Sequence, residues 1–316
     1  MLIVGNGLGM AMNPDYFALQ NGLESVWSNT DYLSMEHKAL IQSAIAGTSE
    51  KRPPSSEQEL DKLQYAIVAI EFLCEFEIHG VSWVSDDAKQ LPSAFKKFIH
   101  EVALYFHRSD LKLPDSFIIP LAKFIHESKS HVATLNYDNL LYDAFTKNHV
   151  LDGYNGPLID GFWSSSGFNE ENLDRRKVNK HGWYLHLHGS PLYVGNEKTM
   201  RDARASLKPE KDSHIVLAHF EHKPLIIESS KILSAYWRHL ALAFDESDKI
   251  ILFGYSGLDR HLNNLIQRRN EKKLFIVEWQ RTGEKKERDI FWKNLLSNEH
   301  LNLIQLENIL DFADWE

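Results

Sequence analysis

The sequence predicts an α/β fold: a parallel sheet carrying a large, mainly helical insertion. Three observations predict it. Short apolar runs at 2–4, 131–135 and 249–253 each break into a turn bearing glycine or asparagine, as strands buried on both faces and feeding helices do. Lys249 to Glu278 reads as a complete strand–turn–helix–strand unit, the unit from which parallel, Rossmann-like sheets are built. Between Gly22 and Ser130 apolar residues instead recur at three- and four-residue spacing, the period of helices. The division expected is a sheet domain from residues 1–21 and 131–316, with residues 22–130 as the insertion.

Composition narrows the class. The 316 residues are 43% hydrophobic and 25% charged, as in ordinary globular proteins. A single cysteine, Cys74, excludes an internal disulfide framework and a cysteine-based structural zinc site. Met1 leads directly into an apolar strand without a basic leader, and no apolar run approaches the ~20 residues of a membrane span. A cytoplasmic location is expected. The net charge of −9 argues against direct binding of nucleic acid.

Taken in order, Met1 to Val4 is a buried strand running into Gly5-Asn-Gly-Leu-Gly9 and a small-residue helix start. Glycines there let backbone approach a diphosphate and leave amides to hold it. The fingerprint G-x-G-x-x-G is incomplete, because its last glycine would fall at Met10; a tight turn without a ligand accounts for the same residues. In the insertion, Ser56-x-x-Glu59 is a capping box, and Leu60, Leu63, Ile67, Ile70 and Cys74 follow at helical spacing. Phe95, Phe98, Ile99, Val102 and Phe106 form a second stripe, and Phe117, Ile118, Leu121, Phe124 and Ile125 a third. These stripes read as core. Pro120 predicts a kink or a break, and Pro53-Pro-Ser-Ser56 is the clearest loop.

His131 to Phe145 begins as a strand and ends as a helix, with Asn136, Tyr137, Asp138 and Asn139 at the junction. Ligands of open α/β sheets bind at the carboxyl ends of strands, so Asn136 and Asp138 are site candidates. A helix cap at Asp138 and a turn brace at Asn136 would use the same residues structurally. Residues 164–180 read as a long exposed loop of the kind that forms lids. Trp183 to Ser190 alternates like a strand, with Tyr184, His186 and His188 on one face. The two histidines make a metal pair only with a third ligand, and none stands nearby; a buried, hydrogen-bonded pair is the stronger reading. His188, just before Gly189-Ser190, also stands at a strand end where a general base fits.

Residues 194–213 read as surface, and Lys231 to Phe244 as an amphipathic helix. Lys249 to Gly254 is a strand, Tyr255 to Asp259 its turn, His261 to Arg269 a helix and Leu274 to Glu278 the next strand. Gly254-Tyr-Ser256 is not a nucleophile elbow, because the following glycine is Gly257, one residue too early for G-x-S-x-G. Glu278 ends its strand where a carboxylate can bond ribose hydroxyls or be merely solvated. A helix and a short strand at 301–306 close the chain, and no internal repeat occurs.

Four segments stand in a telling order. Gly5-Asn-Gly-Leu-Gly9, Thr134-Leu-Asn-Tyr-Asp138, Leu187-His-Gly-Ser190 and Gly254-Tyr-Ser256 resemble the ordered motifs of sirtuin-like proteins. The similarity is greatest to the bacterial branch, many of whose members are NAD-hydrolysing enzymes of antiphage defence. The segments resemble, in turn, the family's Gly-Ala-Gly phosphate turn, its Asn-x-Asp element, its catalytic His-Gly motif and its late Gly-x-Ser turn. Departures are informative. The deacylase branch carries a four-cysteine zinc module, which a chain with one cysteine cannot build. Asn6 and Gly9 replace the usual alanine and serine, and Thr134-Leu-Asn-Tyr137 replaces the Gln-Asn pair of deacylases. These departures favour plain NAD cleavage.

The resemblance implies a zinc-independent NAD glycohydrolase with NAD as substrate and no metal. In it Asn136 orients the nicotinamide ribose or the attacking water, His188 is the general base, and Asp138 supports the pocket and the nicotinamide amide. Gly5, Asn6, Gly7, Thr134, Gly254 and Ser256 line the nucleotide, with Glu278 near the adenosine ribose. Scission of an N-glycosidic bond develops positive charge on the sugar, so such residues must hold the diphosphate, orient the ribose and place water. The rival reading is a non-catalytic NAD or ADP-ribose sensor acting through a protein partner, which needs the glycine turns but not His188. A zinc-free transferase or deacylase would require an acceptor channel. A homo-oligomer and a protein activator or defence partner are compatible with the main reading; a membrane partner is not expected.

Overall fold

The apolar runs pair as strands. In chain order these are β1 (Leu2–Val4), β2 (Val132–Thr134), β3 (Leu158–Ile159), β4 (Phe162–Trp163), β5 (Gly167–Phe168), β6 (Gly182–His186), β7 (Gly189–Val194), β8 (Glu197–Lys198), β9 (Ser213–Ile215), β10 (Lys249–Phe253), β11 (Lys273–Trp279) and β12 (Leu301–Leu306). The computed structural model describes residues 1–29, 33–45, 52–55, 57–75, 84–107, 110–163, 167–175, 180–195, 197–198, 213–216 and 223–315. Seven strands form one sheet in the order β12-β11-β10-β1-β2-β6-β3, every neighbouring pair parallel. The fold is α/β and Rossmann-like, as the sequence predicts.

Both faces of the sheet are covered. Along β1, Leu2 and Val4 join the core on one face and Ile3 joins the core on the other, because successive strand side chains alternate. Burial on both sides is why these strands read as unbroken apolar runs. Helices Lys231–Glu246, Arg260–Gln267 and Lys285–Leu296 pack on the Ile3 face. On the other face lie helices Leu19–Ser28, Met35–Ile45, Glu57–Glu75, Asp86–Tyr105, Asp115–Ser128 and Leu140–Lys147.

The three stripes fall on the helices Glu57–Glu75, Asp86–Tyr105 and Asp115–Ser128, and no strand occurs among the described residues between Val4 and Val132. Some expectations are corrected. Cys74 is exposed rather than part of its stripe. Pro120 lies inside one continuous helix; the carbonyl its ring crowds belongs to Ser116, in the exposed first turn, where the backbone can adjust. Of the capping box, Ser56 lies outside the described residues, and Glu59 accepts instead from the Ser55 amide at 2.7 Å and from Arg52 at 2.6 and 2.8 Å. The strand read through Ser190 is two: β6 ends at His186, the chain turns, and β7 starts at Gly189 with φ +82°. Residues 164–166, 176–179, 196 and 199–212 of the two expected surface segments lie outside the described residues. The remainder of the first segment is anchored by buried Leu173, whose carbonyl accepts the Trp183 indole N–H at 2.8 Å. No helix among the described residues is long and apolar enough to cross a membrane.

Candidate functional site

Because every strand of the sheet runs the same way, their carboxyl ends share one edge, and a cavity of about 630 Å³ opens there. Gly5–Gly7 follow β1, Leu135–Asp138 follow β2, His188 follows β6, Gly254–Ser256 follow β10, and Glu278 and Trp279 end β11; all line the cavity. The chain leaves β1 for β2 on one side and later returns to β10 on the other. That is the switch point at which open α/β sheets bind ligands. Met10, Phe17, Leu19 and Phe106 give the cavity an apolar wall.

The turns after β1 and β10 interlock. The amides of Gly5 and Gly7 donate to the carbonyls of Phe253 and Gly254 at 2.9 and 2.8 Å. This corrects the expectation that those two amides stay free for a diphosphate: their glycines permit the close approach of two backbones. Asn6 lines the cavity, and its Nδ2 donates to the Phe17 carbonyl at 3.1 Å. Ser256 is exposed at the rim.

After β2 the polar residues take distinct roles. Thr134 does not line the cavity, contrary to its assignment as a nucleotide contact; it is buried, and its hydroxyl accepts the Asn136 amide at 3.1 Å. Asn136 is 5% exposed; its side-chain amide approaches the Asp138 carboxyl, and neither Oδ1 nor Nδ2 makes a well-formed hydrogen bond among the described residues. Asp138 accepts the Leu140 N–H at 3.0 Å. Burial pushes its carboxyl up to about 6, against the pull of that amide and of the Asn136 side chain.

His188 does not share a site with His186. The His186 ring is wholly buried, edge-on to Tyr142, Tyr184 and Tyr193, and burial lowers its pKa to about 4. The Gly189 backbone interacts with the His186 ring, although neither of its nitrogens makes a well-formed hydrogen bond among the described residues. His188 instead meets Asp259, Nε2 to Oδ2 at 2.7 Å, and Lys223 approaches the same oxygen at 3.2 Å. Burial opposes ionisation of Asp259, but His188, Lys223 and the Leu262 amide hold its carboxyl well below the usual carboxylate range.

Glu278 reaches the cavity with its carboxylate already engaged. Arg288 donates to it from Nε and a terminal nitrogen at 2.7–3.2 Å, Trp292 Nε1 at 2.9 Å, Thr282 at 2.8 Å and Gln305 at 3.1 Å. Two carboxylate oxygens offer about four acceptor directions, so the expected bond to a ribose hydroxyl has no place left. Burial opposes its ionisation, and these donors hold its pKa below the ordinary value.

Sequence reasoning missed Asp259, Lys223 and Arg288. Asp259 carries a readable signal as the cap of helix Arg260–Gln267, but its meeting with His188, 71 residues away, is tertiary. Lys223 and Arg288 stand in charged stretches with nothing to distinguish them. Among the described residues no group of three or more His, Cys, Asp or Glu is gathered to hold a metal.

Comparison with curated proteins found no match. Residues 130–297 match the family model described as SIR2-like domain, which is more than half of the 316 residues. The match takes in the Asn136, His188 and Gly254 segments, the helix capped by Asp259 and the strand that carries Glu278. With the parallel sheet, the interlocked glycine turns and these residues around one cavity, the chain belongs to the SIR2-like domain family.

Proposed function

We propose that the protein is an NAD glycohydrolase, cleaving NAD to nicotinamide and ADP-ribose without a metal. Asn136 carries the reading: a buried side-chain amide in the wall of the cavity, beside the Asp138 carboxyl and without a well-formed hydrogen bond among the described residues. A buried unsatisfied polar group costs about 1–3 kcal/mol, and a ligand hydroxyl or amide in the cavity removes that cost. The other parts that N-glycosidic scission needs stand around it. Gly5, Asn6, Gly254 and Ser256 line the cavity where the turns after β1 and β10 meet, a place for the diphosphate. Thr134 acts through the backbone of Asn136. Glu278 acts through Arg288 rather than as a ribose acceptor.

In the reaction a water oxygen bonds C1′ of the nicotinamide ribose as the C1′–N bond breaks. The bonding pair leaves with the nicotinamide, and the water proton passes to His188. A positioned base of this kind contributes about 10²–10⁴ in rate. Asn136 orients the ribose or the water, and Asp138 supports the nicotinamide amide. Incubating the full chain with NAD and resolving the products tests the reading. Nicotinamide and ADP-ribose in equal amounts are expected; NAD bound but intact under activating conditions would favour the sensor, and a modified acceptor a transferase.

We read residues 22–130 as a helical insertion in a domain made of 1–21 and 131–316. The helices between β1 and β2, one of them leading to Phe106 in the cavity wall, support this. An enzyme that destroys a central metabolite has to be held inactive until signalled. We therefore infer control by a protein activator or homo-oligomer in the cytoplasm, serving defence by NAD depletion as in the branch the chain resembles. Full turnover by the purified protein alone would remove the need for an activator.

A further inference from the structure

We propose that Asp259 is a positioning residue that selects the basic nitrogen of His188, and that Lys223, bound to the same carboxylate oxygen, weakens that carboxylate's hold on the imidazole proton. The proposal rests on the reading of His188 as the base.

The carboxylate of Asp259 is fixed on all sides. Oδ1 accepts the Leu262 amide at 3.0 Å as the helix cap. The backbone N–H and C=O of Asp259 both bond the Tyr255 hydroxyl at 3.1 Å. Oδ2 is left to face His188 Nε2 and Lys223 Nζ. An ionised carboxylate only accepts hydrogen bonds, so Nε2 carries the imidazole proton and the lone pair sits on Nδ1. A helix cap alone needs neither His188 nor Lys223 at its second oxygen.

Charge decides the rest. A carboxylate within contact of an imidazole raises its proton affinity and so works against its use as a base. The Lys223 ammonium shares the same oxygen and offsets that effect. Both side chains are nearly out of water, 5% exposed for Lys223 and 4% for Asp259, so solvent screens the pair little. Tyr137, with ring centroids 6.3 Å apart, and His261 also face His188. Burial lowers the His261 pKa, keeping that ring neutral.

The test uses the full chain labelled with ¹⁵N-histidine, the His188 signal being assigned among sixteen histidines by its loss in His188→Gln. The neutral ring should be protonated at Nε2. Lys223→Met should raise the His188 pKa by about one pH unit or more, Lys223→Arg should restore it, and Asp259→Asn should lower it. The acidic limb of kcat/KM for NAD should move upward with Lys223→Met by the same amount. A wild-type ring protonated at Nδ1, or an unmoved titration in Lys223→Met, would overturn the proposal; the first needs no variant to fold. The expected titrations without any cleavage of NAD would uphold the charge arrangement and bring down the NAD reading instead.

Discussion

Gly7 and Gly254 touch backbone to backbone. A Cβ on Gly7 would lie 2.5 Å from the Gly254 Cα, and one on Gly254 would lie 2.8 Å from the Gly7 Cα. This contact joins the first strand's turn to that of β10 and sets the floor of the cavity. Gly254 also has φ +57°. Gly254→Ala should therefore cost more than about 2 kcal/mol, adding a clash to the 1–2 kcal/mol of left-handed backbone. Gly153→Ala is the control: φ is +51° and nothing lies within 4 Å, so only the backbone cost of about 1–2 kcal/mol applies. Equal urea midpoints for the two variants would refute the contact's role.

Asn136→Ala separates stability from function. Because the amide approaches the Asp138 carboxyl but makes no well-formed hydrogen bond among the described residues, the variant should unfold at nearly the same urea concentration as the wild type. NAD turnover should fall by at least about 10², the usual loss when a positioned polar group is removed. A clear loss of stability would show that Asn136 serves the fold.

His188 and Ser256 should fail differently. His188→Ala removes the base and should lower kcat by at least about 10² while NAD still binds, since both glycine turns are intact. Ser256→Ala should weaken binding more than the chemical step. Wild-type cleavage by a folded His188→Ala protein would end the assignment of the base.

Asp138 predicts a pH-dependent stability. Its carboxyl is raised from 3.8 to about 6 in the folded protein, so the folded state holds this proton more tightly than the unfolded chain. Stability is then fullest below about pH 4 and declines as pH rises to about 6, by up to about 3 kcal/mol. Asp138→Asn can still accept the Leu140 amide but never ionises. It should melt above the wild type at about pH 8, with the difference vanishing by about pH 4. A difference that ignores pH would contradict the burial argument.

Zinc should be absent from protein prepared without added metal, because one cysteine cannot supply the four thiolates of the deacylase module. Stoichiometric zinc by elemental analysis, or loss of turnover on chelation, would refute this.

The sequence by itself determined the α/β class, the order of the motif turns and the place of Asn136, Asp138, His188 and Gly254 at strand ends. These properties are local: an apolar run buried on both faces, a glycine where no Cβ fits and a polar residue where a strand stops all leave their mark within a few positions. Tertiary structure decided which of those residues keep their hydrogen-bonding capacity for a ligand. Gly5 and Gly7 spend their amides on Phe253 and Gly254, and Glu278 is filled by Arg288, whereas Asn136 makes no well-formed side-chain hydrogen bond among the described residues. It also brought Asp259 and Lys223 to His188 and set His186 apart among tyrosines. Such pairings depend on which strands become neighbours in the sheet, and the parallel crossovers that bring them together separate the partners by tens of residues.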